Sequence, residues 1–219
     1  MKKHVLVALV MCVTVSAIVF GIAGTSQEVR PQKQVAGARG GESLREAAKR
    51  NGSAIASAHP NNLRLYEDVA SLAGDSSAVV VGSVKSRSSS LLQPAGRMVV
   101  TDYTVGVGEV LKGGLQPGSD VTVRTPGGRV VFEDGTTAEV QMPDYWKTPQ
   151  QGKTYLLFLQ KRGPQNFVLL GGPQGMFEVT PEGSVVPQVR ASDKLMQNYN
   201  GKDFAAVRQE IPATAAGRN

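Results

Sequence analysis

Five side chains in this 219-residue chain have the types that grip an extended ligand: Tyr103, Arg124, Arg129, Tyr145 and Trp146. Aromatic rings cover apolar or ring-shaped groups, and guanidinium groups pair with carboxylates and phosphates. Together they are expected to form an aromatic and basic patch on one side of the domain. A catalytic set is harder to assemble. The chain has two histidines, His4 and His59, and one cysteine, Cys12. Zinc needs several thiolates or imidazoles, and no Asp-x-Asp-x-Asp-Gly loop offers a calcium site. Neither a metal nor a cofactor is expected. A Ser–His–Asp relay would have to use His59, and there is no G-x-S-x-G elbow to carry the serine. Asp102, Glu109, Asp120 and Glu133 could supply a glycosidase-type carboxylate pair, but acids on the outer face of strands are ordinarily solvated surface. Gly106-Val107-Gly108 begins like a dinucleotide fingerprint and stops there, because Leu111 occupies the place of the third glycine. The residue types point to binding, and a non-enzymatic protein is the expectation.

The elements that must position these residues are mostly strands. The stretch Met98–Lys112 alternates, with Val99, Thr101, Tyr103, Val105 and Val107 on one face and Val100, Asp102 and Thr104 on the other. Ala78–Val84, Asp120–Thr125 and Thr154–Gln160 read as further strands. Asp134-Gly135 between Arg129–Glu133 and Thr136–Met142 is a two-residue hairpin signal. Asn166–Leu170, Met176–Thr180 and Ser184–Val186 follow at tight turns. Ser86–Gly96, with three consecutive serines, reads as a polar loop. Short helices are expected at Glu42–Arg50 and at Asn62–Ala73, where Leu65, Val69 and Leu72 share a face. Another is expected around Phe204, Val207 and Ile211. Glycine and proline number 25 and 12, which suits strands joined by turns. The expected fold is mainly β: a small closed OB-like barrel of about five to eight strands with short flanking helices.

Lys2 and Lys3 precede an apolar run from Val5 to about Ala23, the build of an export signal. The run is also nearly long enough to span a bilayer, so an uncleaved N-terminal anchor is the alternative. Membrane contact is expected only through this leader. The domain plan is then a leader at 1–23, a flexible linker at 24–41, short helices at 42–74, the barrel at 75–187, and a C-terminal helix and tail at 188–219. Apart from Cys12, inside the leader, there is no cysteine, so an exported domain here must be stabilised by its core and not by disulfides. The formal net charge is +6, yet residues 75–180 carry ten basic side chains against nine acidic ones. No basic stripe marks a face for phosphates, and nucleic acid is not an expected partner.

The strand ending VVVGSV, the long strand YTVGVGEVLKG, the VTVRTPGG strand and turn, and GKTYLLFL before FVLLGGPQGMFEV resemble a group of exported bacterial proteins. The layout is similar, more distantly, to the netrin-like domain, the barrel of the tissue inhibitors of metalloproteinases. The resemblance covers about Ala78–Thr180 and implies export and an OB-type barrel. It supplies no reaction. Those inhibitors use an N-terminal cysteine and disulfides, which this chain lacks after its leader, so no inhibitory residue carries over. The expected function is a module, in the cell envelope or outside the cell, that binds another protein. Binding of an anionic or saccharide polymer, and a hydrolase of unrecognised type, are the alternatives.

Overall fold

The computed structural model describes residues 41–59 and 64–212. The leader, the linker up to residue 40, the start of the helix expected from Asn62, and the tail from 213 lie outside the described residues. Helix α1 (Leu44–Asn51) begins at a reciprocal cap: the Ser43 hydroxyl accepts from the Glu46 N–H, and the Glu46 carboxylate accepts from the Ser43 N–H at 2.8 Å. Gly52, at φ 81°, ends it. The chain then enters β1 (Ser53–Ser57), a strand inside a segment expected to be helical. Helix α2 (Val69–Asp75) starts later than expected, because Asp68 is its cap, accepting from the Ser71 N–H at 2.7 Å. Leu65 therefore precedes the helix and is 76% exposed. Among the described residues no helix is long and apolar enough to cross a membrane.

The strands follow as β2 (Ala78–Leu91), β3 (Val99–Lys112), β4 (Asp120–Pro126), β5 (Gly128–Val131), β6 (Thr137–Gln141), β7 (Thr154–Lys161), β8 (Asn166–Leu169), β9 (Met176–Val179) and β10 (Val185–Pro187). Two short helices close the described chain, α3 (Lys194–Tyr199) and α4 (Phe204–Gln209), where one was expected. Hydrogen bonds run round a ring of five strands: β2 to β3, β3 to β4, β4 to β8, β8 to β7, and β7 back to β2. Only β4 and β8 are parallel, with Thr122, Val123 and Arg124 opposite Asn166, Phe167 and Val168. This is an OB-like barrel, as expected. Strands β9 and β10 widen the sheet outward from β7.

Alternation in β3 fills the barrel: Tyr103, Val105 and Val107 point inward with Val80, Val123, Tyr155, Leu157 and Phe167. The other face of β7, Leu156 and Phe158, packs with Phe177 and with Val69, Leu72, Leu195, Tyr199 and Val207 from the helices. Burial on both faces is why β7 reads as a continuous apolar run.

Three strands stand apart from the ring. β6 pairs parallel with β1 and antiparallel with β5. The hairpin expected at Asp134-Gly135 is present, with the Thr136 N–H donating to Asp134 Oδ1 at 3.0 Å. It belongs to this small sheet and not to the barrel, because Ala138 and Val140 turn inward against Leu44, Ala47 and Ala48 of α1. The Ser86–Gly96 loop is also corrected: β2 continues to Leu91, held by β3 along its length. Polar serines form a strand there because the partner strand supplies the ladder.

One buried phenol joins the helices. The Tyr199 hydroxyl donates to Glu210 Oε2 at 2.6 Å and accepts from the Val69 N–H at 3.2 Å. Burial, and then the bond to Glu210, push its pKa up from 10 to about 12. The unfolded chain loses this proton near pH 10 while the folded chain keeps it. The resulting stabilisation is complete below pH 10 and falls as the pH rises towards about 12. Thermal melts across that range will show a decline that is shallower in Tyr199→Phe.

Candidate functional site

The site forms where the β2–β3 ribbon runs past the end of the barrel. Beyond Val84, β2 leaves β7 and pairs only with β3. Arg87 and Ser89 lie opposite Tyr103 and Thr101, on the face that looks into the barrel lower down. The turn from β4 to β5 folds over this face. The Gly127 N–H donates to the Val99 carbonyl at 2.8 Å, and the Thr101 hydroxyl donates to the Gly127 carbonyl at 2.7 Å. Ser89 Oγ lies 2.9 Å from Thr101 Oγ1 and, with the Thr101 proton committed, is the donor. Glu139–Gln141 of β6, Met142 just after it, and Asp144, Trp146 and Thr148 supply the opposite wall. Between them lies an open cleft of about 860 Å³.

Three of the five expected residues line this cleft. Tyr103 is part of its floor and is almost wholly buried. Arg129 stands exposed on β5, and Trp146 closes one end. Arg124 points away from the barrel interior and grips Asp102 across the strand pair, Nε to Oδ1 at 2.6 Å and Nη2 to Oδ2 at 2.7 Å. That hydrogen-bonded pair raises the Arg124 pKa further. Arg124 lines a second, apolar pocket of about 390 Å³ with Leu92, Met98, Val100, Val168 and Leu169. Tyr145 joins neither cavity wall; the Arg190 guanidinium sits 4.1 Å from its ring centroid. The single patch expected from sequence is therefore split by the barrel rim.

Trp146 lines both cavities and is 8% exposed, and its Nε1 has no hydrogen-bond partner among the described residues. Thr125 Oγ1, at the second pocket, is in the same condition. A buried polar group left so costs about 1–3 kcal/mol. Stability alone does not select such groups, and their place on cavity walls marks this end of the barrel.

Sequence reasoning missed Arg87, Ser89, Glu139 and Asp144 of the cleft. The first two fell in the stretch read as a loop. Arg87, Arg129 and Asp144 form no ion pair with any described residue, so the cleft keeps free charge of both signs. The carboxylates weighed for a glycosidase pair are mostly committed elsewhere: Asp102 to Arg124, Glu109 to Arg208 at 2.6 Å, and Asp120 to Lys85 at 2.5 Å. Among the described residues, no three His, Cys, Asp or Glu side chains converge as metal ligands would.

No protein-family model matches this chain, and no curated protein matches it. The cleft's own chemistry therefore carries the functional argument. It is open and polar, with charges of both signs, and one side is bounded by strand main chain.

Proposed function

We propose that the chain is a non-enzymatic binding module that holds a protein partner in the cleft between the β2–β3 ribbon and the small sheet. The observation that carries this reading is the cleft itself. Its free charges, Arg87 and Arg129 against Asp144, suit a surface of mixed charge better than a uniformly anionic one. The cationic, apolar start of the sequence, read as an export signal, supports a module that works in the cell envelope or outside the cell. The order of the ring supports the netrin-like resemblance, which belongs to the same proposal.

Polymer binding is the second reading, favoured by Arg87 and Arg129, which pair with no described carboxylate and line the cleft with Trp146. Capture on the immobilised full-length chain separates the two, using envelope extract and culture fluid at low and high salt. Salt screens exposed charge contacts and spares main-chain and apolar ones. The expected result is a defined protein retained at both salts by wild type, and at high salt by Arg87→Glu/Arg129→Glu as well. A polymer retained only at low salt, and lost in the double variant, would replace the first reading with the second. Retention of nothing would overturn both.

A further inference from the structure

The side of β2 that faces β7 is used for only half its length. β7 pairs with Ala78–Ser83, and the connection before it continues the pairing: the Val84 N–H donates to the Lys153 carbonyl at 3.1 Å, and the Gly152 N–H to the Val84 carbonyl at 2.9 Å. Gln151 Nε2 donates to the Lys85 carbonyl at 2.9 Å, and there the chain departs. From Ser86 to Leu91 nothing described pairs with this edge.

The phase of the ladder says which groups are left over. The Val99 carbonyl accepts from Gly127, so the main-chain groups of Val99, Thr101 and Tyr103 face β4. Those of Val100, Asp102 and Thr104 face β2, where they meet Ser90, Ser88 and Ser86. The Leu92 N–H bond to the Met98 carbonyl has the same parity. The N–H and C=O groups of Arg87, Ser89 and Leu91 therefore point outward, unpaired by any described main chain. Arg87, Ser88 and Ser90 are exposed, and this edge borders the cleft at Arg87–Ser89. Proteins usually blunt a free edge with proline, a covering element, a bulge or a charge. Here Arg87 supplies a charge and a bulge at Val84/Ser86 precedes the run, but Ser-Arg-Ser-Ser-Ser-Leu has no proline and no described element covers it.

We infer that a partner binds by adding a strand: an extended, proline-free polypeptide segment pairs with the outward main-chain groups of Arg87, Ser89 and Leu91 and continues the line that Gly152 and Lys153 begin. This rests on the protein-binding reading and specifies its mode. Main-chain bonds supply the affinity, and alternate side chains of the segment enter the cleft beside Arg87, Arg129 and Asp144.

Trp146, the only tryptophan in the chain, lines the cleft and reports occupancy by its fluorescence. The full-length chain is titrated with the hexapeptide acetyl-Thr-Val-Glu-Val-Thr-Lys-amide and with the same peptide N-methylated at alternate nitrogens. A saturable shift with the first and none with the second is expected. Ser89→Pro and Arg87→Pro each remove one outward N–H, a change edge strands tolerate. Ser89→Ala and Arg87→Ala keep that N–H and control for the lost Ser89–Thr101 hydrogen bond and the lost charge. Each proline variant is expected to bind about tenfold more weakly than its alanine counterpart while melting near it. Equal binding of the N-methylated peptide, no saturable shift in wild type, or proline variants that both bind as tightly as their alanine counterparts would overturn the inference. So would a self-associated chain whose dimer Ser89→Pro abolishes, since the edge then belongs to a second copy. A protein captured equally by wild type and Ser89→Pro would overturn strand addition and leave the binding module standing.

Discussion

Gly128→Ala is expected to lower the melting temperature by roughly 6–12 °C, the equivalent of about 3 kcal/mol in a chain of this size. Two causes add. Gly128 has φ 124°, a region that L side chains rarely adopt and that costs a non-glycine residue about 1–3 kcal/mol. A β carbon there would also run into Thr101 Oγ1 and lie 3.0 Å from Ser89 Oγ. Thr101 cannot step aside cheaply, because it is buried and bonded to both the Gly127 carbonyl and Ser89. Displacing it breaks the link that folds the β4–β5 turn over the ribbon. The damage should be local. Amide exchange will rise in β5 and β6, whereas Leu156–Phe158 in the barrel keeps its protection. Equal loss of protection in both places, or a melting temperature unchanged from wild type, would show that the turn does not depend on this glycine.

Phe158→Ala is expected to be worse, about 3–5 kcal/mol, a large part of the 5–15 kcal/mol that holds a typical domain together. Phe158 is fully buried at the centre of β7, the strand that touches both ring neighbours and β9. Its ring meets Phe177 at 5.6 Å between centroids, so the substitution leaves a cavity and also removes an aromatic pair. Chemical denaturation with the slope checked for two-state behaviour measures it. Leu65→Ala is the contrast. The two residues are both large and apolar, yet Leu65 is 76% exposed and its loss should stay within about 0.5 kcal/mol.

That contrast shows what the sequence could and could not say. Alternation in Val99–Val107 was readable because a strand with one buried face has period two, and all five of its inward residues are buried. The Asp134-Gly135 turn was readable because its chemistry is local. Leu65 matched a helical spacing by accident, since the cap at Asp68 starts the helix later. β1 was missed because its stability comes from a parallel partner some 80 residues on, Ser53 opposite Thr137, and no local signal encodes that. The serines of β2 were missed for a related reason: β3 makes them a strand. Tyr103, Arg129 and Trp146, chosen by residue type, line one cleft. Arg124 lies apart from it, because its partner, Asp102, is set by the register of β3 on β4. Arg87 and Ser89 were hidden with their strand.

The ring also has a seam. The β2–β3 ladder runs from Val79 to Leu91, while β8 is held by only three pairs on each side, in parallel to Thr122–Arg124 of β4 and antiparallel to Leu159–Lys161 of β7. The β7 side is extended by bonds from the Arg162 N–H to the Asn166 carbonyl and from the Leu170 N–H to the Phe158 carbonyl, and parallel pairing is the weaker per residue, so the loop is fastened least at β4–β8. Thermal breathing of this barrel will therefore part β4 from β8 first and unroll it into a curved, still hydrogen-bonded sheet. The small sheet can ride through such an opening intact, because β1, β5 and β6 are bonded to one another and not across the seam.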